Sequence, residues 1–234
     1  MTVAVSQPLP GVVQALLDRP ESRNAIDLDM VGRLLDVVGD EEARVIVLGS
    51  TSQDALSAGA DLKLSDADRA EVSRELYRLY EMMRTTSAII LVAFSGHAVG
   101  GGAQLVVASD FTVAGHDATI RFRGPGHGIA VGAWALSGMV GRGRAIDLAL
   151  SMRPVSAKEA LDIGLIQRID RHPLAYANSL AEEIISLWPS AVAAVKRIVG
   201  IPDPLQALAA EKAHNEGWDG AVPPYTENGP DLAG

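Results

Sequence analysis

Three consecutive glycines, Gly100-Gly101-Gly102, stand between the aliphatic run Ile89–Phe94 and a second apolar run over 103–108. Few folds accommodate that pattern. An unbroken run of six apolar residues reads as a strand covered on both faces, and residues 103–108 are predicted to be helical. The glycines then mark a strand-to-helix turn at which another group can approach the backbone closely. The first turn of a helix carries N–H groups without intrahelical acceptors, at the positive end of the helix dipole. Such groups stabilise negative charge developing on an oxygen when a second N–H converges on it. Close packing of strand on helix explains the glycines equally well at this point.

The rest of the chain sets this turn in an α/β frame. Val12–Leu17 reads as a strand, closed by Arg19-Pro20 and a polar turn through Asn24. Asp27 is placed to cap a helix that carries Met30, Val31, Leu34, Leu35 and Val38 on one side. Residues 44–49 have the continuous apolar core of a buried parallel strand, and 50–56 read as a polar loop. Residues 66–84 predict an amphipathic helix with Leu76, Leu79, Met82 and Met83 inward. Phe111–Ala114 and 119–122 read as short strands. Alternating strands and helices favour βαβ connections.

From Trp134 onward the pattern is helical. Helices are expected at 142–152, 174–187, 190–199 and 205–215, with an extended segment or strand at 165–169. Ser156-Ala157-Lys158-Glu159 has the spacing of a capping box. The organisation expected is a core over 1–190 followed by a C-terminal helical region, 191–234. Its Pro/Gly-rich end, 222–234, is read as mobile.

Composition narrows the chemistry. At 234 residues the chain is long enough for a substantial core, and with 4% aromatics that core must be largely aliphatic. A formal charge of −9 argues against nucleic acid or an anionic membrane as partner. With no cysteine, there is neither a thiolate metal site nor a cysteine nucleophile, which suits a reducing cytoplasm. No apolar run approaches membrane-spanning length, so no membrane insertion is expected. The P-loop and the GxSxG elbow are absent, and the glycine cluster lacks the third glycine of a dinucleotide fingerprint. A second small-residue turn, Ser57-Ala58-Gly59-Ala60-Asp61, follows the strand at 44–49 and supplies a candidate second N–H.

Arg19-Pro20-Glu21-Ser22-Arg23-Asn24-Ala25, Ser57-Ala58-Gly59-Ala60-Asp61-Leu62-Lys63 and Gly96-His97-Ala98-Val99-Gly100-Gly101-Gly102-Ala103-Gln104-Leu105 occur in that order. They resemble the signature segments of the enoyl-CoA hydratase/isomerase (crotonase) superfamily. Val140-Gly141-Arg142-Gly143-Arg144-Ala145 and the segment from Ser156 through Gly164-Leu165-Ile166 are similar to its later helical parts. The likeness runs over roughly residues 12–200. It implies stacked ββα units with a C-terminal helical trimerisation region, and assembly as a homotrimer or dimer of trimers. It implies an acyl-CoA or enoyl-CoA ligand, with coenzyme A as part of the thioester substrate, no covalently bound cofactor and no metal. By resemblance, Ala60 and Gly101 give the N–H pair that polarises the thioester oxygen. Ser22, Asn24, Ala25, Ala58, Asp61, Leu62 and Lys63, with Ala60, would line the CoA path, Lys63 being placed for a CoA phosphate.

The chain departs from the family at its chemistry. Hydratases of this kind use two glutamates; here Gln104 and Gly126 occupy those positions. An amide does not exchange a proton near neutral pH, and glycine has no side chain. Positioned acid–base groups are worth about 10²–10⁴-fold each, so hydration is expected to be weak or altered. The alternatives are a non-catalytic acyl-CoA carrier in lipid metabolism, or thioester hydrolysis with His127 as acid or base. Other readings are blander: His97 and Asp110 as structural, Glu81 as solvated, Trp134 as core filling rather than a wall of the acyl pocket.

Overall fold

The structure is a computed structural model and describes residues 2–215. The tail at 222–234 lies outside the described residues. In chain order the elements begin with β1 (Val3–Leu9), β2 (Val12–Leu17), α1 (Leu28–Val38), β3 (Val45–Ser50), β4 (Ala55–Ser57) and α2 (Asp66–Thr85). Next come β5 (Ile89–Phe94), β6 (His97–Val99), α3 (Gly101–Ala108), β7 (Phe111–Ala114) and β8 (Thr119–Arg121). The remainder is α4 (Ala133–Val140), α5 (Arg142–Ser151), β9 (Val155–Ser156), α6 (Ala157–Asp162), β10 (Arg168–Ile169), α7 (Pro173–Ser186), α8 (Pro189–Val199) and α9 (Pro204–Asn215).

Two sheets result. The larger runs β1-β2-β3-β5-β7-β10, and the smaller β4-β6-β8-β9. Among the described residues only the β1–β2 and β8–β9 pairs are antiparallel. The chain repeatedly lays one strand in the large sheet and the next in the small one before entering a helix, as in β3-β4-α2 and β5-β6-α3. This is the ββα repeat expected of the crotonase-like α/β fold.

The aliphatic runs are continuous because both faces of the large sheet are covered. Successive side chains of a strand point to opposite faces. Val45, Val47, Leu91, Ala93 and Val113 therefore pack with Ala177 and Ala181 of α7. Ile46, Leu48, Ile90, Val92 and Phe94 join α1, α2 and α3 in the main core. Lys196 ties α8 to this body: its Nζ donates to the carbonyls of Met83 (2.9 Å) and Ala88 (2.7 Å) and pairs with Asp110 at 2.7 Å. Asp110 Oδ2 also accepts from Ile90 N–H, so Asp110 is structural as expected. Among the described residues no helix is long and apolar enough to cross a membrane.

Several expectations need correction. Residues 50–56 are not all loop, since β4 begins at Ala55. β1 and β6 had no clear signature, and the strand expected over 165–169 is only Arg168–Ile169. The glycine-turn helix begins at Gly101 rather than at 103. Ser156 caps α6 by accepting from Glu159 N–H, but the Glu159 carboxylate turns away to Arg153 at 2.6 and 2.9 Å. The capping box is thus half formed.

Candidate active site

The turn after β4 is welded to the loop after β2. Asn24 is fully buried: its Nδ2 donates to Ser50 Oγ and to the carbonyls of Ala55 and Leu56, while its Oδ1 accepts from Arg19 N–H. Its left-handed backbone (φ 53) is one that asparagine adopts more readily than most residues. Ser57 Oγ donates to the Asn24 carbonyl and accepts from Gly59 N–H. Arg19, to which the sequence assigned no side-chain role, clamps the assembly. Its guanidinium donates to the Ala25 carbonyl and meets Asp27 at 2.8 Å and Asp61 at 3.3 Å. The Lys63 backbone N–H, followed by Arg19, holds the Asp61 carboxyl below its ordinary pKa, against the opposing effect of burial.

These bonds use the peptide N–H groups around Ala60 but not its own. Ala58 N–H goes to Arg23, Gly59 N–H to Ser57, and Asp61 N–H to Ile26. Across the gap, Gly100 adopts φ 55 and its N–H is taken by Arg121. Gly101 is the first residue of α3, where no intrahelical acceptor exists. Among the described residues neither Ala60 N–H nor Gly101 N–H has an acceptor. The two turns touch: a Cβ on Gly59 would lie 3.5 Å from Gly101 N and 3.0 Å from the Val99 carbonyl. A second close approach locks α3 below them, where a Cβ on Gly102 would come within 2.8 Å of Ser57 Cβ and of its carbonyl. Two N–H groups without a protein acceptor thus lie on abutting turns.

One turn further along α3, Gln104 is 4% exposed and has a fixed orientation. Its Oε1 accepts from Gly132 N–H at 3.0 Å and from the Trp134 indole Nε1–H at 3.1 Å. Gly132 is held at φ 74 with no room for a Cβ, which would fall 2.5 Å from the Phe122 ring. Tyr80 completes the group. Its hydroxyl donates to the Gly101 carbonyl at 3.0 Å, and its ring stacks against Trp134 with centroids 6.5 Å apart. Burial first, and then Tyr77, push the Tyr80 pKa well up, with the neighbouring Gln104 amide acting the other way. Tyr80 therefore stays a neutral donor. Trp134 is 46% exposed and faces the polar group, which corrects its reading as core filling.

The site thus joins two unoccupied N–H donors, a buried amide and an aromatic wall. The enoyl-CoA hydratase/isomerase family model matches residues 9–216. The chain belongs to this family. It is 36% identical over 217 residues to the probable enoyl-CoA hydratase echA6 of Mycobacterium bovis, covering 90% of this chain and 87% of that protein. A crystal structure of enoyl-CoA hydratase from Bacillus anthracis superposes with a TM-score of 0.86 at 27% identity, covering 93% of this chain and 91% of the other. The Thermoplasma volcanium enoyl-CoA hydratase structure gives 0.82 at 26% identity, covering 92% and 90%.

Within this hydratase/isomerase frame, the residues expected along the CoA path separate into two groups. Ala58, Leu62 and Lys63 are exposed, beside the turn that carries Ala60. Asn24, Ala25 and Asp61 are buried. The side chains of Asn24 and Asp61 are committed to protein partners, so they shape the turn rather than reach a ligand. Ser22 Oγ donates to the Arg19 carbonyl. Gly126 and His127 lie exposed in a short 3-10 turn, Pro125–His127, where Gly126 N–H meets Met152 Sδ at 3.2 Å. No hydrogen bond among the described residues joins His127 to Gln104. His97 is exposed and pairs with Thr119 Oγ1 at 2.8 Å, a side-chain bond across the small sheet. Glu81 is exposed on α2, as expected. A cavity of about 780 Å³ lies elsewhere, lined by Arg84, Ile89, Asp110 and Lys196 among others. Its lining includes neither Ala60 nor Gly101, and it owes its shape to the junction of α8 with the body.

Proposed function

We propose that this protein binds acyl-CoA and enoyl-CoA thioesters, using Ala60 N–H and Gly101 N–H as an oxyanion hole, and that its hydratase chemistry is weak or altered. The observation that carries this reading is the contrast at α3. The two N–H groups have no protein acceptor, while the side chain one turn on is an amide whose oxygen is already occupied twice. Hydration needs an acceptor there to activate water, and an oxygen held by Gly132 and Trp134 offers little to a third partner. Oxyanion donors are worth about 10²–10³-fold each in acyl transfer, so polarisation of the thioester outlasts the loss of acid–base groups. This combination favours ligand binding over turnover and keeps the carrier role in lipid metabolism as the second reading.

Assembly as a homotrimer or dimer of trimers belongs to the same proposal. Ile146, Leu150, Trp188, Val195 and Val199 are exposed on the C-terminal helices and would be covered by such an assembly. A cytoplasmic location is part of it as well, consistent with a chain free of cysteine. Calorimetric titration with butyryl-CoA and crotonyl-CoA, alongside a crotonyl-CoA hydration assay, tests the reading. Saturable binding with slow or undetectable hydration is the expected result. Absence of binding to either thioester refutes it.

A further inference from the structure

We infer that Tyr80, oriented by Gln104, is a positioning residue for the proposed oxyanion hole: it holds Gly101 in the conformation that presents its N–H to a thioester. This rests on the acyl-CoA reading above and assigns the group that keeps one of its two donors in place. Such a group is needed. The first residues of α3 are Gly101 and Gly102, and their N-cap is Gly100, which has no side chain to bond the turn. Glycine has the widest backbone freedom of any residue, and a helix start without a capping side chain is less stable. A donor carried there stabilises an oxyanion best when it is fixed before the ligand arrives.

Two bonds do the fixing, one on each side of the Gly101 α-carbon. The Gly100 carbonyl, in the same peptide group as the Gly101 N–H, accepts from Gln104 N–H at 3.0 Å. The Gly101 carbonyl accepts from the Tyr80 hydroxyl at 3.0 Å. The direction of this second bond follows from Gln104. Its Oε1 is taken by Gly132 N–H and the Trp134 indole, so its NH₂ end is the one that bonds to Tyr80. An NH₂ group only donates. The phenol oxygen therefore accepts from Gln104 and commits its single proton to Gly101. Each donor in such a chain polarises the next, which strengthens the last bond. Tyr80 is 2% exposed, with its ring set edge-on to Tyr77 and stacked against Trp134. With its proton spent and its ring enclosed, it acts on a ligand through Gly101 rather than by contact.

Butyryl-CoA and its thioether analogue S-butyl-CoA differ only at the carbonyl, and calorimetry on the full chain compares them. The unmodified protein should bind the thioester about tenfold more tightly. Tyr80→Phe keeps the ring and removes the hydroxyl. The thioester's advantage should then fall to about threefold or less, while the affinity for S-butyl-CoA holds. A merely structural role would weaken both ligands alike. Gln104→Met fills a similar space without a donor and should act in the same direction. Combined with Tyr80→Phe it should add little, because the two substitutions break one chain. An undiminished advantage in folded Tyr80→Phe, or in Gln104→Met if the first variant does not fold, overturns the inference and leaves the acyl-CoA reading intact. Equal weakening of both ligands overturns it too, as does loss of the fold in both variants, since either assigns the chain to stability alone. If the unmodified protein binds neither ligand, or binds them equally, the thioester reading fails and the inference with it.

Discussion

The indole Nε1–H of Trp134 donates to Gln104 Oε1 at 3.1 Å, a contact between side chains thirty residues apart that fixes which end of the amide is spent. Its removal is informative because Trp134→Phe preserves a ring to stack on Tyr80. The expected cost is about 1 kcal/mol, that of one hydrogen bond, read from urea unfolding midpoints. Thioester binding should weaken only slightly, since Gly132 N–H still holds the amide oxygen.

Gly132 is the more demanding half of that anchor. A methyl group there would meet the Phe122 ring at 2.5 Å in a left-handed backbone. Gly132→Ala should therefore cost more than Trp134→Phe, about 2–3 kcal/mol. Thermal unfolding of the two variants side by side checks the order.

Gln104→Glu supplies a base at the position where the family resemblance leads one to expect a glutamate. The same two N–H donors would stabilise its ionised form. Hydration of crotonyl-CoA should rise by about 10²-fold, at the low end for one positioned acid–base group, because Gly126 still withholds the second. Unchanged turnover would show that the defect lies outside Gln104.

The clamp at Arg19 predicts a pH dependence. Asp61 is held below its ordinary pKa, first by the Lys63 N–H and then by Arg19. A depressed carboxyl stabilises the fold above its unfolded value near 3.9, and that contribution is lost as pH falls through the lower folded value. Asp61→Asn should consequently lower the urea midpoint at neutral pH and make less difference below about pH 4. A constant difference at both pH values would contradict the assignment.

Lys196 is almost fully buried with three oxygen partners. Lys196→Ala leaves Asp110 without its counter-charge, only the Ile90 N–H still reaching it, and should cost about 3 kcal/mol. Because this pair fastens α8 rather than the N–H turns, thioester affinity of the folded variant should hold.

Much of this architecture was legible because it depends on local pattern. The runs at β3 and β5 are aliphatic throughout since α7 covers one face and α1–α3 the other. Asp27 and Ser156 announce their helices by capping. The small residues of 57–61 and 100–102 marked turns where backbone comes close, and the family resemblance singled out Ala60 and Gly101 within them. The three-residue strands β4 and β6 were hidden, being too short for any period to register. Trp134 was misjudged because its significance lies in a partner thirty residues upstream. Arg19 was overlooked for a similar reason: Asp27 and Asp61, which give it a role, meet it only after folding.

The proposed thioester site is tested by removing one of its two N–H groups and leaving the rest. Gly101→Pro deletes that N–H at the first position of α3, the helical position at which proline is best tolerated. Butyryl-CoA binding is measured by calorimetry on the two proteins, with unfolding curves to confirm that the fold persists. Saturable binding by the unmodified chain is expected, with a loss of about tenfold or more in the variant. Equal affinity in a folded Gly101→Pro protein would contradict it.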